Sequence, residues 1–235
     1  MKNPGRQAFV GAVVLAVFGT IGSANDAWAR PREVEDGMAL KVGVYNYAHI
    51  GGSELLEAED QAARLFARAG VRITWLDCPT NPKEVSLYPQ CANRDVVLRI
   101  LSASMSNHFD SHAEALGAAI PVSKPERAWV ASVFNARVAS ISSSWMLDPG
   151  LVLGEAVAHE LGHLLLGASH ARDGIMRANW TQQDLKQASR GQLRFDATQA
   201  ALLKETVRRV RAETAPQEPR GLTQPGQSAS ALSQP

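Results

Sequence analysis

Residues 151–166 form the longest apolar segment of the chain outside its N-terminus. Asp148 and Pro149 precede it and suit an N-cap and a first helical turn, while Gly167 follows it and suits the residue after a helix end. The pattern therefore predicts a helix over the whole segment. Because apolar residues cover most of its faces rather than one stripe, we expect the helix to be buried, with the rest of the domain packed around it.

Three polar residues interrupt this helix in the motif His159-Glu160-Leu161-Gly162-His163. Residues four apart lie on one helical face, so His159 and His163 can present imidazole nitrogens to a single metal ion. Glu160 lies beside them and can accept a proton from a water that zinc has made more acidic. Since such groups would be costly in a buried helix without a partner, the motif predicts a zinc site with Glu160 as its base.

A catalytic zinc site usually has three protein ligands and one open position. His170 is the predicted third ligand, because Gly167 lets the chain turn out of the helix and bring an imidazole back to the ion. A surface-loop histidine is the alternative interpretation of His170. In that case Asp173 or Asp184 could supply the third ligand, because carboxylates also bind zinc.

The stretch from His159 to His170, followed by Gly174-Ile175-Met176, resembles the metzincin clan of zinc endopeptidases, and especially bacterial peptidases with HELGHLLLG, a downstream Ser-His and a Gly-Ile-Met. The similarity covers residues 151–203. It implies that His159, His163 and His170 are zinc ligands, that Glu160 is the general base, and that Met176 is the methionine of a turn below the metal.

The clan pattern is HExxHxxGxxH, and this chain departs from it by one residue. Gly167 comes four residues after His163, and His170 comes seven after it. A single inserted residue, for example one more residue of helix before Gly167, would reconcile the two. In the clan, peptide substrates lie along an edge strand, so residues 128–134 are a candidate substrate platform, although that strand could equally be interior.

The rest of the chain predicts an α/β (α+β) domain, with a mixed sheet, backing helices and the central motif helix. The expected strands cover residues 39–45, 71–76, 96–101 and 128–134. A helix should run from Ser53, as N-cap, to Gly70, and residues 102–126 should be loop with some helix. Two further helices are expected at 182–190 and 197–212, with Thr181 and Asp196 as N-caps.

The N-terminus has the pattern of a signal peptide over residues 1–29: Lys2 and Arg6, an apolar run, and small residues ending at Ala29. Residues 30–213 would form one peptidase domain. The last residues, 214–235, are rich in Pro, Gln and Ser and should be a disordered tail. The mature protein is therefore expected to be secreted or periplasmic.

The charge balance speaks against nucleic acid as a partner. The whole chain has 24 basic and 23 acidic residues, and residues 1–29 include Lys2, Arg6 and Asp26, so 22 of each would remain after cleavage. Phosphate binding normally requires a basic excess or a basic stripe. The mature part also lacks a segment long and apolar enough to span a bilayer. Because the motif indicates a peptidase, the expected partner is a peptide or protein substrate.

The two cysteines, Cys78 and Cys91, fall in the mature part. An exported chain meets an oxidising compartment, so we predict a disulfide between them. Their use as zinc ligands is disfavoured, because the spacing is wide and no second Cys or His pair lies nearby. His108 and His112 are also four apart and could bind a second metal, but surface histidines are favoured there because no clear helix is predicted.

Together these features predict an exported zinc metallopeptidase that hydrolyses peptide bonds with Glu160 as general base and zinc as cofactor. Two alternatives stay open. The chain could be an inactive binding protein stabilised by zinc, or a zinc amidase acting on cell-wall peptides.

Overall fold

The computed structural model describes residues 38–109, 115–120 and 129–214. The predicted signal peptide and the predicted tail beyond Thr214 lie outside these ranges, as does His112. Among the described residues, no helix is long and apolar enough to cross a bilayer.

A five-stranded sheet forms one layer of the domain, in the order β2-β1-β3-β5-β4. The first four strands in this order are parallel to one another, and β4 is antiparallel to β5. The strands are β1 Ala39–Asn46, β2 Arg72–Cys78, β3 Val96–Leu101, β4 Gly117–Ile120 and β5 Trp129–Phe134. The mixed α/β fold predicted from the sequence is therefore confirmed.

Helices surround this sheet, and the predicted motif helix lies at the centre of the packing. They are α1 Gly52–Arg68, α2 Ala103–Ser106, α3 Asn135–Trp145, α4 Pro149–Leu166, α5 Gln182–Ala188 and α6 Ala197–Thr214. The Asp148 side chain caps α4 by accepting a hydrogen bond from the backbone N–H of Leu151 at 2.9 Å. Every residue of α4 from Val152 to Leu165 is buried, as its apolar composition predicted.

Helix α4 contacts α1, α3 and α6 as well as the strands β4 and β5. Its approach to α1 depends on Gly154, where an added Cβ atom would lie 2.6 Å from the Gln61 Cβ atom and 2.7 Å from the Ala58 carbonyl oxygen. Any larger side chain would push the two helices apart. The small residue therefore sets how deeply the motif helix is held in the domain.

The strand predicted at 128–134 is interior, because β5 pairs with β3 on one side and with β4 on the other. The edge strand on this side of the sheet is β4, which lies in the segment predicted as loop. Its residues, Gly-Ala-Ala-Ile, are mostly small and show no alternation of apolar and polar side chains. They form a strand through backbone pairing with β5, a long-range interaction that leaves little local sequence signal.

Two helix predictions also need correction. The N-cap of α1 is Gly51 rather than Ser53, which lies inside the helix. Helix α3 was not predicted, because its sequence is rich in serine and lacks a clear apolar stripe. It forms against α4 with only Val138 and Ser142 buried, which shows that tertiary packing can override a weak local pattern.

The predicted caps of the two C-terminal helices are present. Thr181 and Asp184 form a reciprocal capping box at the start of α5, and Asp196 and Gln199 exchange the equivalent pair of hydrogen bonds before α6. The predicted disulfide is also present and joins Cys78 at the end of β2 to Cys91 in a 3-10 turn.

Candidate metal centre

His159 and His163 lie one turn apart on α4, and their Nε2 atoms are 2.9 Å from each other. The Nδ1–H group of His159 donates to the carbonyl oxygen of Ile175 at 2.7 Å, and that of His163 donates to the carbonyl oxygen of Gly167 at 3.0 Å. With both protons held on Nδ1, two Nε2 lone pairs face one another and cannot form a hydrogen bond. This arrangement suits a cation between the two rings.

The His170 ring joins this pair from the loop after α4. The helix ends at Leu166, and Gly167 adopts a φ of 95°, which turns the chain back over the last helical turn. The Nε2 atom of His170 lies 3.2 Å from that of His163. The additional residue before Gly167 is accommodated in the helix, so the later position of His170 does not keep its ring from the other two.

The separations between the nitrogen atoms of the three histidines fit a zinc ion. Their ligand atoms all lie within 4.8 Å of one another. Two nitrogens bound tetrahedrally to zinc at its usual bond lengths lie about 3.3 Å apart, close to the 2.9 and 3.2 Å separations found here. The reserve ligand Asp184 is engaged elsewhere, since its carboxylate accepts hydrogen bonds from Thr181 and Arg177.

Burial keeps the two helical histidines in the neutral form that binds metals. Desolvation lowers the pKa of His159 to about 4 and also lowers the pKa of His163. The hydrogen bonds to Ile175 and Gly167 act in the opposite direction but do not overcome burial. Neutral imidazoles need to release no proton before they bind a cation.

Glu160 is 5% exposed and lines the same cleft as the three histidines. Burial raises the pKa of its carboxyl to about 8. Space for this side chain comes from Gly117 on β4, where an added Cβ atom would lie 2.5 Å from the Glu160 Cγ atom. Sequence reasoning missed Gly117, because the strand that carries it gave no recognisable pattern.

Met176 lies beneath α4 and is 1% exposed. Its Sδ atom would be 2.5 Å from a Cβ atom added at Gly162, the residue just before His163. The backbone here forms a closed turn in which the Ala171 N–H donates to the Met176 carbonyl at 2.8 Å. The predicted turn methionine thus packs directly against the helix that carries the histidines.

The walls of the cleft include strand β4, helix α3 with its last residue Trp145, and the segment from Arg177 to Trp180. The Trp180 ring lies edge-on to the His159 ring, with centroids 5.3 Å apart, and its indole N–H donates to the Ile175 carbonyl at 3.2 Å. The other histidine candidate, His108, is exposed and does not belong to the three-histidine group.

No model of a known protein family matches this chain, and no curated protein sequence matches it. One solved structure with a related arrangement is the crystal structure of an archaemetzincin from Methanopyrus kandleri, which is 16% identical in sequence. The match covers 73% of this chain and 97% of that chain, with a TM-score of 0.47. That score is too low for the likeness to show what this chain does.

Proposed function

We propose that this chain is a zinc-dependent peptidase in which His159, His163 and His170 hold the metal and Glu160 is the general base. The observation that carries the proposal is the convergence of three imidazole Nε2 atoms in a cleft that Glu160 also lines. Three imidazole nitrogens with a glutamate carboxyl group beside them are the composition expected of a hydrolytic zinc site.

Zinc, when bound, supplies polarisation of the substrate carbonyl and a lower pKa for the attacking water. Glu160 accepts the proton of that water as its oxygen attacks the carbonyl carbon. The same carboxyl then donates the proton to the leaving amine as the C–N bond breaks. The buried setting of Glu160 against Gly117 holds the carboxyl in place between these two transfers.

The candidate substrate platform is β4 rather than β5, because β5 is an interior strand. Strand β4 is one of the two edge strands of the described sheet, and Gly117 at its start contacts the Glu160 side chain. An extended peptide can add to such an edge through main-chain hydrogen bonds. A peptide bound there would run past the general base, which brings a scissile bond close to the reacting groups.

Export is part of the same proposal. The N-terminal pattern of residues 1–29 predicts a cleaved signal peptide, and the Cys78–Cys91 disulfide suits an oxidising compartment. The domain beginning at residue 30 would then act in the periplasm or outside the cell.

The direct test compares Glu160→Gln with Glu155→Gln in purified mature protein. Both residues are buried glutamates of α4, but Glu155 faces Gln61 of α1 rather than the cleft. We expect about one zinc per chain in all three proteins by elemental analysis. Peptide hydrolysis should fall by about 10²–10⁴-fold in Glu160→Gln and be retained in Glu155→Gln. Full activity of Glu160→Gln would contradict the mechanism.

The choice of substrate separates the alternatives. Each protein is incubated with casein, with a peptide library and with peptidoglycan fragments. Cleavage of casein or peptides supports a peptidase, and cleavage of peptidoglycan alone points to a cell-wall amidase. Zinc binding without any cleavage would identify a binding protein stabilised by the metal.

A further inference from the structure

We propose that Trp180 is a positioning residue of the metal centre, which fixes the His159 ring through the carbonyl group of Ile175. The inference rests on the proposed function only in taking His159 as a metal ligand. It adds a residue outside the HExxH motif to the machinery that this chain uses to hold its metal.

The Ile175 carbonyl oxygen is shared by two ring N–H groups. It accepts from Nδ1 of His159 at 2.7 Å and from the indole Nε1 of Trp180 at 3.2 Å. A carbonyl oxygen has two lone pairs, so both bonds can form together. The two rings are also in contact, with centroids 5.3 Å apart and planes at 87°. Trp180 therefore restrains both the acceptor of His159 and the rotation of its ring.

The backbone around this carbonyl is itself held in place. The N–H of Ile175 donates to the carbonyl of Arg194 at 3.2 Å, and the next carbonyl, that of Met176, accepts from Ala171 at 2.8 Å. The Ile175 side chain is fully buried. These contacts fix the direction of the Ile175 carbonyl group. They therefore also fix the direction of its hydrogen bond with His159.

Trp180 is also held in place by the start of α5. It directly precedes the N-cap Thr181, whose capping box with Asp184 fixes the first turn of α5. Arg177 forms a salt bridge to the same Asp184 at 2.9 Å. Trp180 and Leu185 occupy the two positions that pack together in a hydrophobic staple, and both line the cleft. The indole is consequently placed before any metal binds.

Two effects on the metal centre follow from this geometry. Trp180 orients the Nε2 atom of His159 towards the other two histidines. Because its half-buried ring lies on the cleft side of His159, it also shields the His159–Ile175 hydrogen bond from water. Loss of an outer interaction that orients a metal ligand typically weakens metal binding by about 10–100-fold.

The test uses Trp180→Phe, which keeps an aromatic ring and removes the indole N–H, with Trp145→Phe as the matched control. Trp145 lines the same cleft, and its backbone carbonyl accepts from Gln182, which the control leaves intact. Zinc Kd is measured by competition with a chromophoric chelator. We expect it to rise about 10-fold or more in Trp180→Phe and to stay within about 2-fold of the wild type in Trp145→Phe.

A second readout does not depend on the metal. The exchange of the His159 Nδ1–H proton with water is followed by NMR in the metal-free proteins, and we expect it to be about 10-fold faster in Trp180→Phe than in the wild type or the control. Circular dichroism verifies that each variant is folded. If Trp180→Phe does not fold, Trp180→Leu carries the same expectations, because leucine also lacks a hydrogen-bond donor.

Unchanged Kd and unchanged exchange in Trp180→Phe would overturn the positioning role, whatever the peptidase activity. Equal weakening in both variants would also overturn it, since the effect would then belong to the cleft as a whole. If the protein binds zinc in a Trp180-dependent way but cleaves no peptide, the proposed function fails and the positioning role stands. If the wild type binds no zinc, the proposed function and the positioning role both fail, because there is then no metal ligand for Trp180 to orient.

Discussion

Gly117 on the edge strand β4 and Glu160 on the central helix lie so close that a Cβ atom added to the glycine would be 2.5 Å from the glutamate Cγ atom. The same added atom would also lie 2.5 Å from the carbonyl oxygen of Ser132 on β5. The room available to the proposed general base is therefore defined by a residue more than forty positions earlier in the chain. This relationship links the proposed substrate platform to the proposed general base.

We accordingly predict that Gly117→Ala reduces peptide hydrolysis by about 100-fold, because a displaced carboxyl no longer meets the attacking water. Zinc content should be unchanged, since none of the three histidines is touched. Gly52→Ala is the matched control, because nothing lies within 4 Å of a Cβ atom added there. Steady-state kinetics with a peptide substrate measure the effect, and equal activity of the two variants would refute the link.

Removing one predicted ligand should cost more metal affinity than removing an orienting residue. Loss of a residue that only orients a metal ligand weakens metal binding by at most about 100-fold. We expect His170→Ala to raise the zinc Kd by more than this, because the His170 Nε2 atom lies 3.2 Å from that of His163. His108→Ala removes an exposed histidine outside this group and should leave the Kd unchanged. Chelator competition measures both. Unaltered binding in His170→Ala would mean that another residue completes the site.

Stability of the metal-free protein should fall as the pH rises, because of Glu155. This carboxyl is fully buried between α4 and α1, where burial raises its pKa to about 8, and the Gln61 hydrogen bond and the charges of Arg68 and Arg64 oppose the shift only partly. In the unfolded chain its pKa is about 4.3. The folded state therefore binds more protons between these values, so this contribution is complete below about pH 4 and is lost as the pH approaches 8.

The slope from this one group is about 1.4 kcal/mol per pH unit within that window. Glu155→Gln cannot ionise and should abolish it, so the difference in unfolding free energy between variant and wild type should change with pH. Urea denaturation in the presence of a chelator at pH 5, 6, 7 and 8 provides the measurement. Parallel curves for the two proteins would show that Glu155 is ionised when folded.

Two methionines offer a direct test of the packing beneath the motif. Met176 is 1% exposed and contacts α4 at Gly162, whereas Met146 is 90% exposed. We expect Met176→Ala to lower the free energy of unfolding by about 2–5 kcal/mol through the cavity it leaves. Met146→Ala should change it by less than about 0.5 kcal/mol. A small change in the free energy of unfolding of Met176→Ala would show that this side chain does not support the motif helix.

Local sequence patterns were sufficient to predict much of the secondary structure of the domain. The buried helix, its N-cap Asp148 and the end at Gly167 follow from residues that are neighbours in the chain, as do the capping pairs before α5 and α6. Strand β3 was predicted with its observed bounds, because its apolar run is continuous. The interior position of β5 and the existence of β4 were not predictable, since both depend on which strands pair.

Residue spacing alone was enough to predict that His159 and His163 share one face of a buried helix with Glu160 beside them, because a spacing of four residues is a local property of a helix. Three other contacts became visible in the folded domain: the His170 ring reaches His163, the Ile175 carbonyl holds His159, and Gly117 makes room for Glu160. These contacts join separate segments through loops and strand pairing. They depend on the geometry of the whole domain, which no periodicity within one segment encodes.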